Sequence, residues 1–225
     1  MYFRQTSIKS QIIFLLVILA VVIFLIVVTK MGAFKMSAPL RIFPHFEGKE
    51  TIAGNIYYNK TYLFGISRPN TRWRIASERN LKQPPDLGFR AETLDSAHWV
   101  AKLIRYSGDE IWGDVLVAAL PSDSSKNSVW WAQKFLSEIS ATFSPLDSLV
   151  ITQNVTPRGS GIFQSAFFMV ELPEKDTIEY PVMVPLFRIR NDFAIAIICR
   201  ARFDTYDLVK ADFEKILSSF EWFQE

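Results

Sequence analysis

Two histidines, one cysteine and a few acidic clusters are the residues through which this chain could act as a catalyst or hold a metal. His98 follows Asp95 by three positions, and Asp109, Glu110 and Asp114 form the other dense set of oxygen ligands. The second set sits on a Gly108-Asp109-Glu110 signal, where carboxylates are ordinarily solvated turn formers. A Ser–His–acid triad requires tertiary structure to bring His45 or His98 to a serine. Arg158-Gly159-Ser160-Gly161 lacks the glycine spacing of a nucleophile elbow and reads as a turn. No glycine-rich loop joins a strand to a helix, so a phosphate cradle is not expected. Cys199, alone in the apolar run FAIAIICRARF, excludes an internal disulfide and is expected to be a buried, inert thiol. Asn59-Lys60-Thr61 and Asn154-Val155-Thr156 match the glycosylation pattern, which has meaning only in a eukaryotic secretory pathway. The expectation is a chain that is not an enzyme, with no metal and no cofactor.

The element that positions everything else is an unbroken apolar run over residues 12–28, carrying Ile12, Phe14, Leu16, Leu19, Val22, Phe24 and Val28. Extended by Gln11 and Thr29, it is long enough for a helix to cross a hydrocarbon core of about 30 Å. A cleaved signal peptide has a shorter core followed by small residues. Here Lys30, Met31, Phe34 and Lys35 follow instead. The run therefore predicts an uncleaved transmembrane helix with a tail over residues 1–30. The tail carries Arg4 and Lys9 and no acid, so the N-terminus is expected in the cytoplasm. The globular domain is then on the periplasmic, lumenal or extracellular side. Ala20 is the only small residue of the run, so a small-xxx-small dimer seam is not expected.

Charge is distributed unevenly. Residues 1–46 hold five basic residues and no acidic one, which leaves 20 basic and 23 acidic residues beyond them. The domain is mildly acidic, and a nucleic-acid partner, which requires a concentrated basic surface, is excluded.

Residues 31–55 read as a connector, with Gly32, Pro39, Pro44, Gly48 and Gly54 and no sustained period. Its Phe34, Phe43 and Phe46 are candidates for contact with a partner or with the headgroup layer. The domain over residues 56–225 opens with a strand or hairpin arm at 57–68, then a short strand at 72–76 and a loop at 77–96. Strands at 99–107 and 111–120 flank the turn at Gly108. A helix follows, with Asn127 or Ser128 as N-cap and a stripe of Val129, Ala132, Leu136, Ile139 and Phe143. Trp131 and Phe135 flank the stripe, whereas Trp130 and Lys134 fall on the opposite side and are candidates for partner contact. Strands at 148–156, 161–172, 182–190 and 193–203 come next. In the third, Leu186, Arg188 and Arg190 alternate with Phe187 and Ile189; the fourth is apolar on both sides, so the sheet must be covered twice. A helix over 205–220 closes the chain, with the stripe Val209, Phe213, Ile216, Leu217 and Phe220 and with Asp207 near its N-terminus. The predicted fold is α+β, a mostly antiparallel sheet flanked by helices as an α/β/α sandwich, preceded by one transmembrane helix.

This pattern resembles the PsbP-like family. Tyr62-Leu63-Phe64-Gly65-Ile66-Ser67-Arg68-Pro69 followed by Trp73 is similar to the family's opening, although the family's usual order is Gly-Phe-Ser-Ile. The order of elements agrees over roughly residues 56–223. Phe213-Glu214-Lys215-Ile216-Leu217-Ser218-Ser219-Phe220 is similar to its closing helix. The resemblance implies a non-enzymatic domain, as in extrinsic photosystem subunits and assembly factors, and it transfers no site residues. A retained anchor departs from the soluble photosystem subunits of that family. Together these readings predict a membrane-anchored subunit or assembly and stabilising factor of a larger membrane protein complex, photosynthetic or respiratory. The alternative is a binding module for a lipid, pigment or other apolar ligand, lined by some of the 6 Trp and 19 Phe.

Overall fold

A computed structural model of the chain describes residues 40–81, 84–143, 148–159, 164–190 and 192–224. The apolar run at 12–28 and Phe34 lie outside the described residues; among those described, no helix is long and apolar enough to cross a membrane. The compact unit that carries the fold runs over Arg41–Glu225.

Among the described residues, twelve strands and two α-helices form this unit. In chain order they are β1 (Arg41–Ile42), β2 (Glu50–Ala53), β3 (Ile56–Asn59), β4 (Phe64–Ser67), β5 (Trp73–Ser77), β6 (His98–Ser107), β7 (Glu110–Pro121), α1 (Ser128–Thr142), β8 (Val150–Arg158), β9 (Ser165–Glu171), β10 (Val182–Arg190), β11 (Phe193–Ala201), α2 (Phe203–Ser219) and β12 (Glu221–Gln224). Seven strands build one antiparallel sheet in the order β5-β6-β7-β11-β10-β9-β8. The β6–β7 hairpin turns at Gly108, whose φ of 61° suits a residue without Cβ. Five short strands build a second sheet, β1-β12-β4-β3-β2.

The α+β architecture with two helices is the predicted one, but the single predicted sheet is two. Strands β1, β2 and β12 are two to four residues long and show no alternation that a sequence pattern would reveal. They form because other strands pair with them: β1 and β12 join distant parts of the chain, Arg41 beside Phe223, while β2 closes a local hairpin with β3, Glu50 beside Asn59. The stretch read as a connector is therefore part of the compact unit from Arg41 onward.

Each face of the large sheet is covered, as the doubly apolar β11 requires; eight of its nine residues are buried. On one face, α1 packs across β8, β9 and β10. Phe135 sits between Phe168 and Phe187 at ring distances of 6.1 and 5.8 Å. On the other face, α2 packs on β7, β10, β11 and on β4 of the small sheet. Val209, Phe213 and Ile216 are its buried stripe, and it starts at Phe203, with Asp204 in its first turn. In α1 the buried stripe is rotated from the predicted one. Trp131 and Phe135 lie within it rather than beside it, while Val129 and Leu136 are only partly buried.

Candidate functional site

The chain before α1 is built to begin a helix at a fixed place. Asp123 accepts a hydrogen bond from the backbone N–H of Ser125 at 2.9 Å and another from its hydroxyl, and it pairs with Lys126 at 3.0 Å. These donors, Ser125 first and then Lys126, hold the Asp123 carboxyl down at about 2. Asn127 is the N-cap, its Oδ1 accepting from the N–H of Trp130 at 2.8 Å, so one of the two predicted caps is realised. The indole N–H of Trp131 donates inward to Ser122 Oγ at 3.1 Å.

This start leaves Trp130 on the outside. It is 37% exposed, while Trp131 beside it is buried. The two rings meet edge to face at 4.9 Å. The ammonium groups of Lys126 and Lys134 approach the Trp130 ring at 5.1 and 5.5 Å. Lys134 is held in turn by Glu138 at 3.8 Å, and Glu138 also caps Thr93 through N–H (2.9 Å) and hydroxyl (2.7 Å). The result is an indole face framed by two cations on a rigid helix. Its chemistry is that of a contact point: an aromatic anchor with a charged rim.

The other predicted contact residues behave differently. Phe43 packs on Phe46 (5.4 Å), Tyr58 (6.0 Å) and Phe223 (5.4 Å), so both connector phenylalanines support the small sheet within the molecule.

The residues considered for chemistry are dispersed. Asp95 pairs with Arg90 at 2.7 Å, not with His98. His98 uses both ring nitrogens, Nδ1 with the Tyr62 hydroxyl and Nε2 with Glu78 Oε1, each at 2.9 Å. The Glu78 carboxylate can only accept, so Nε2 is the donor in that contact. Asp114 is buried against Arg200 and Lys102. Among the described residues, no group of three or more His, Cys, Asp or Glu is arranged to hold a metal. Cys199 is buried, and burial first, then Asp114, raises its thiol well above the ordinary range. Gly159 turns at a φ of 73°, and Ser160 and Gly161 lie outside the described residues.

Phe135, Phe168 and Phe187 are fully buried in the core, Phe135 in ring contact with each of the other two. Among the described residues, clefts of about 630, 460 and 670 Å³ are open to the surface. The first and third adjoin around Lys175 and Phe203; the second runs along β1 and β12.

Sequence reading passed over two features. One is the Tyr62–His98–Glu78 chain, which joins residues 20 and 36 positions apart and left no local signal. The other is the arginine pair of β10, which was visible as an alternation but had no assigned surroundings.

No family model matches this chain, and no curated protein matches it. Among solved structures it is similar to the solution structure of cyanobacterial PsbP (CyanoP) from Synechocystis sp. PCC 6803, with a TM-score of 0.50 and 12% identity, over 83% of this chain and 100% of that one. A crystal structure from Bacteroides thetaiotaomicron VPI-5482 aligns over 80% of this chain and 50% of that one at 11% identity, with a TM-score of only 0.34. The first likeness is one of fold: Arg41–Glu225 has a PsbP-like α+β architecture.

Proposed function

We propose that this chain is a membrane-anchored, non-catalytic subunit or assembly and stabilising factor of a larger membrane protein complex. Its domain lies on the extracytoplasmic side and docks through the outer face of α1. The observation that carries the reading is Trp130, a large aromatic held outward by a capped helix and framed by Lys126 and Lys134. An anchored domain meets its partner at a high effective concentration, so one such hot spot can suffice where a soluble protein would need a wide interface. The apolar run at residues 12–28 and the PsbP-like fold support the same reading.

The experiment is a pull-down of the tagged full-length protein from mild-detergent membranes, beside Trp130→Ala and a form lacking residues 1–30. Membrane subunits in fixed ratio with the full-length form, depleted at least about fivefold by Trp130→Ala, support docking through α1. Loss of about 1.4 kcal/mol at a hot spot is already tenfold in affinity. Recovery of a bare monomer from several detergents overturns the subunit reading. Undiminished partners with Trp130→Ala overturn the assignment of the surface.

A further inference from the structure

The α2-side face of the large sheet carries three arginines with which no carboxylate pairs among the described residues. Ser165 of β9 lies directly opposite Arg158 of β8 on one side and Arg188 of β10 on the other. Directly opposed residues of antiparallel strands share a face, as do residues two apart on one strand. Arg158, Ser165, Arg188 and Arg190 therefore project from one face of three adjacent strands. Neighbouring strands are about 4.8 Å apart, so Arg158 and Arg188, on either side of β9, are about 10 Å apart at the backbone, a span that two extended arginine side chains can close around one small ion.

Their surroundings are aromatic rather than acidic. Arg188 lies over the Phe220 ring at 4.9 Å, Arg190 over Trp222 at 5.8 Å and Arg158 over Phe167 at 4.1 Å. Arg190 Nη1 donates to the Phe223 carbonyl. The two buried arginines of the described structure each have an acid: Arg200 is hydrogen-bonded to Asp114 at 2.7 Å, and Arg105 has Asp212 at 3.9 Å, a charge partner although its Nε makes no hydrogen bond. Arg188 is mostly buried, has none, and its Nε is a buried donor without a partner. Burial alone pushes its guanidinium down to about 10. A second unpartnered buried donor, Trp222 Nε1, belongs to the same cluster, its ring meeting Phe220 at 4.9 Å. An uncompensated buried cation and an orphaned N–H each cost stability. The domain is otherwise mildly acidic, so this concentration of unopposed positive charge is local to the cluster.

We propose that Arg158, Arg188 and Arg190 form a binding site for a small oxyanion, a phosphate or a carboxylate group. Guanidinium groups present forked donors that match such ions bidentately, and the ring-lined setting strengthens each charge-assisted bond. The ion is either free in solution or the headgroup of an anionic lipid.

The test uses the full-length protein in nanodiscs of neutral phosphatidylcholine. Inorganic phosphate is titrated at constant ionic strength against chloride, with thermal unfolding as the readout. A parallel sample without phosphate uses nanodiscs containing phosphatidylglycerol. A saturable rise in Tm of about 2–5 °C is expected with one or both sources. Phosphate alone identifies a soluble anion; phosphatidylglycerol alone identifies a headgroup. Arg188→Met removes the buried charge while keeping the packing, so it should fold with an unchanged or higher Tm and lose the response. Arg158→Gln, at an exposed position, should weaken apparent binding by about three- to tenfold with no change in ligand-free Tm. Absence of any saturable rise overturns the proposal, as does an equal rise in Arg188→Met.

Discussion

Arg200 grips Asp114 with both arms of its guanidinium, Nε to Oδ1 at 2.8 Å and Nη2 to Oδ2 at 2.7 Å, and both side chains are buried. The third arm donates to the carbonyl of Asp86 at 2.6 Å, and the group stacks over Tyr180 at 5.0 Å. Burial alone would lower the guanidinium's pKa, but the Asp114 carboxylate outweighs it, and the net shift is upward. The pair ties the loop around Asp86 to the centre of the large sheet. Breaking it from one side leaves a buried charge alone, which costs about 3–5 kcal/mol. Asp114→Asn should therefore lower the urea midpoint by that equivalent. The double variant Asp114→Met with Arg200→Met should recover most of the loss, because both charges are gone and Lys102, partly exposed, can turn to water. A double variant no more stable than Asp114→Asn would show that packing, not charge, dominates there.

Gly88 makes the same loop's second attachment. Its φ is +77°, and a Cβ there would stand 2.7 Å from the Thr177 carbonyl oxygen and 3.0 Å from Ile178 Cγ1. Gly88→Ala thus meets both a left-handed backbone and a backbone atom that cannot move aside. Its cost should be at least about 2 kcal/mol, a fall in Tm of roughly 4–8 °C for a domain of this size. Gly54→Ala is the comparison. It shares the positive φ but has open space around it, so its loss should be the smaller in the same melt.

The parts of this fold that were legible in the sequence are those with a long period. The β6–β7 hairpin, β10, β11 and both helices are nine residues or longer: β7 and β11 are apolar runs buried nearly throughout, and α1 and α2 each carry an apolar stripe at helical spacing. Phe64 and Phe220, from the two motifs that suggested the fold family, stack at 5.2 Å, and Ser67 N–H donates to Ser219 Oγ at 2.9 Å. Those motifs are recognisable because they form one contact between the chain's beginning and end. The second sheet was illegible because its strands are short and β12, which pairs with β1 and β4, comes from the far end of the domain. Trp130 was legible as an outward residue because helical geometry alone decides it. The arginine cluster was not, because three strands had to be brought into register before Arg158 and Arg188 became neighbours.

Tyr57 links stability to alkaline pH. Its buried hydroxyl contacts Glu50 Oε2 and the Val100 carbonyl, each at 2.9 Å, and accepts from Asn59 at 2.9 Å. Burial first, and then the Glu50 carboxylate against the opposing Asn59 bond, raises its pKa above the ordinary value of 10.0. The unfolded chain therefore releases this proton before the folded one does. The contribution is intact below about pH 10 and declines as pH rises beyond it, by at most about 1.4 kcal/mol per pH unit. Tyr57→Phe should be less stable at pH 8 by about 1–2 kcal/mol, since Asn59 and Val100 lose a partner. Its stability should nonetheless fall less steeply between pH 10 and 11. Parallel slopes for the two proteins in denaturant titrations would refute the linkage.

Helix α1 offers an internal contrast between a residue that holds the fold and one that is free to serve a partner. Phe135 is fully buried among Phe89, Phe168 and Phe187, and truncation to alanine opens a cavity costing about 3–5 kcal/mol. Trp130, five residues earlier, meets the edge of Trp131 and the ammonium groups of Lys126 and Lys134. Trp130→Ala should cost less than about 1 kcal/mol, because most of what it touches stays packed without it. Asn127→Ala falls between, at about 1 kcal/mol, since it removes the cap on the Trp130 N–H without disturbing the core. Chemical denaturation of the three variants tests the order. A loss for Trp130→Ala comparable to that for Phe135→Ala would mean that the indole is a structural residue and that its exposure has no bearing on docking.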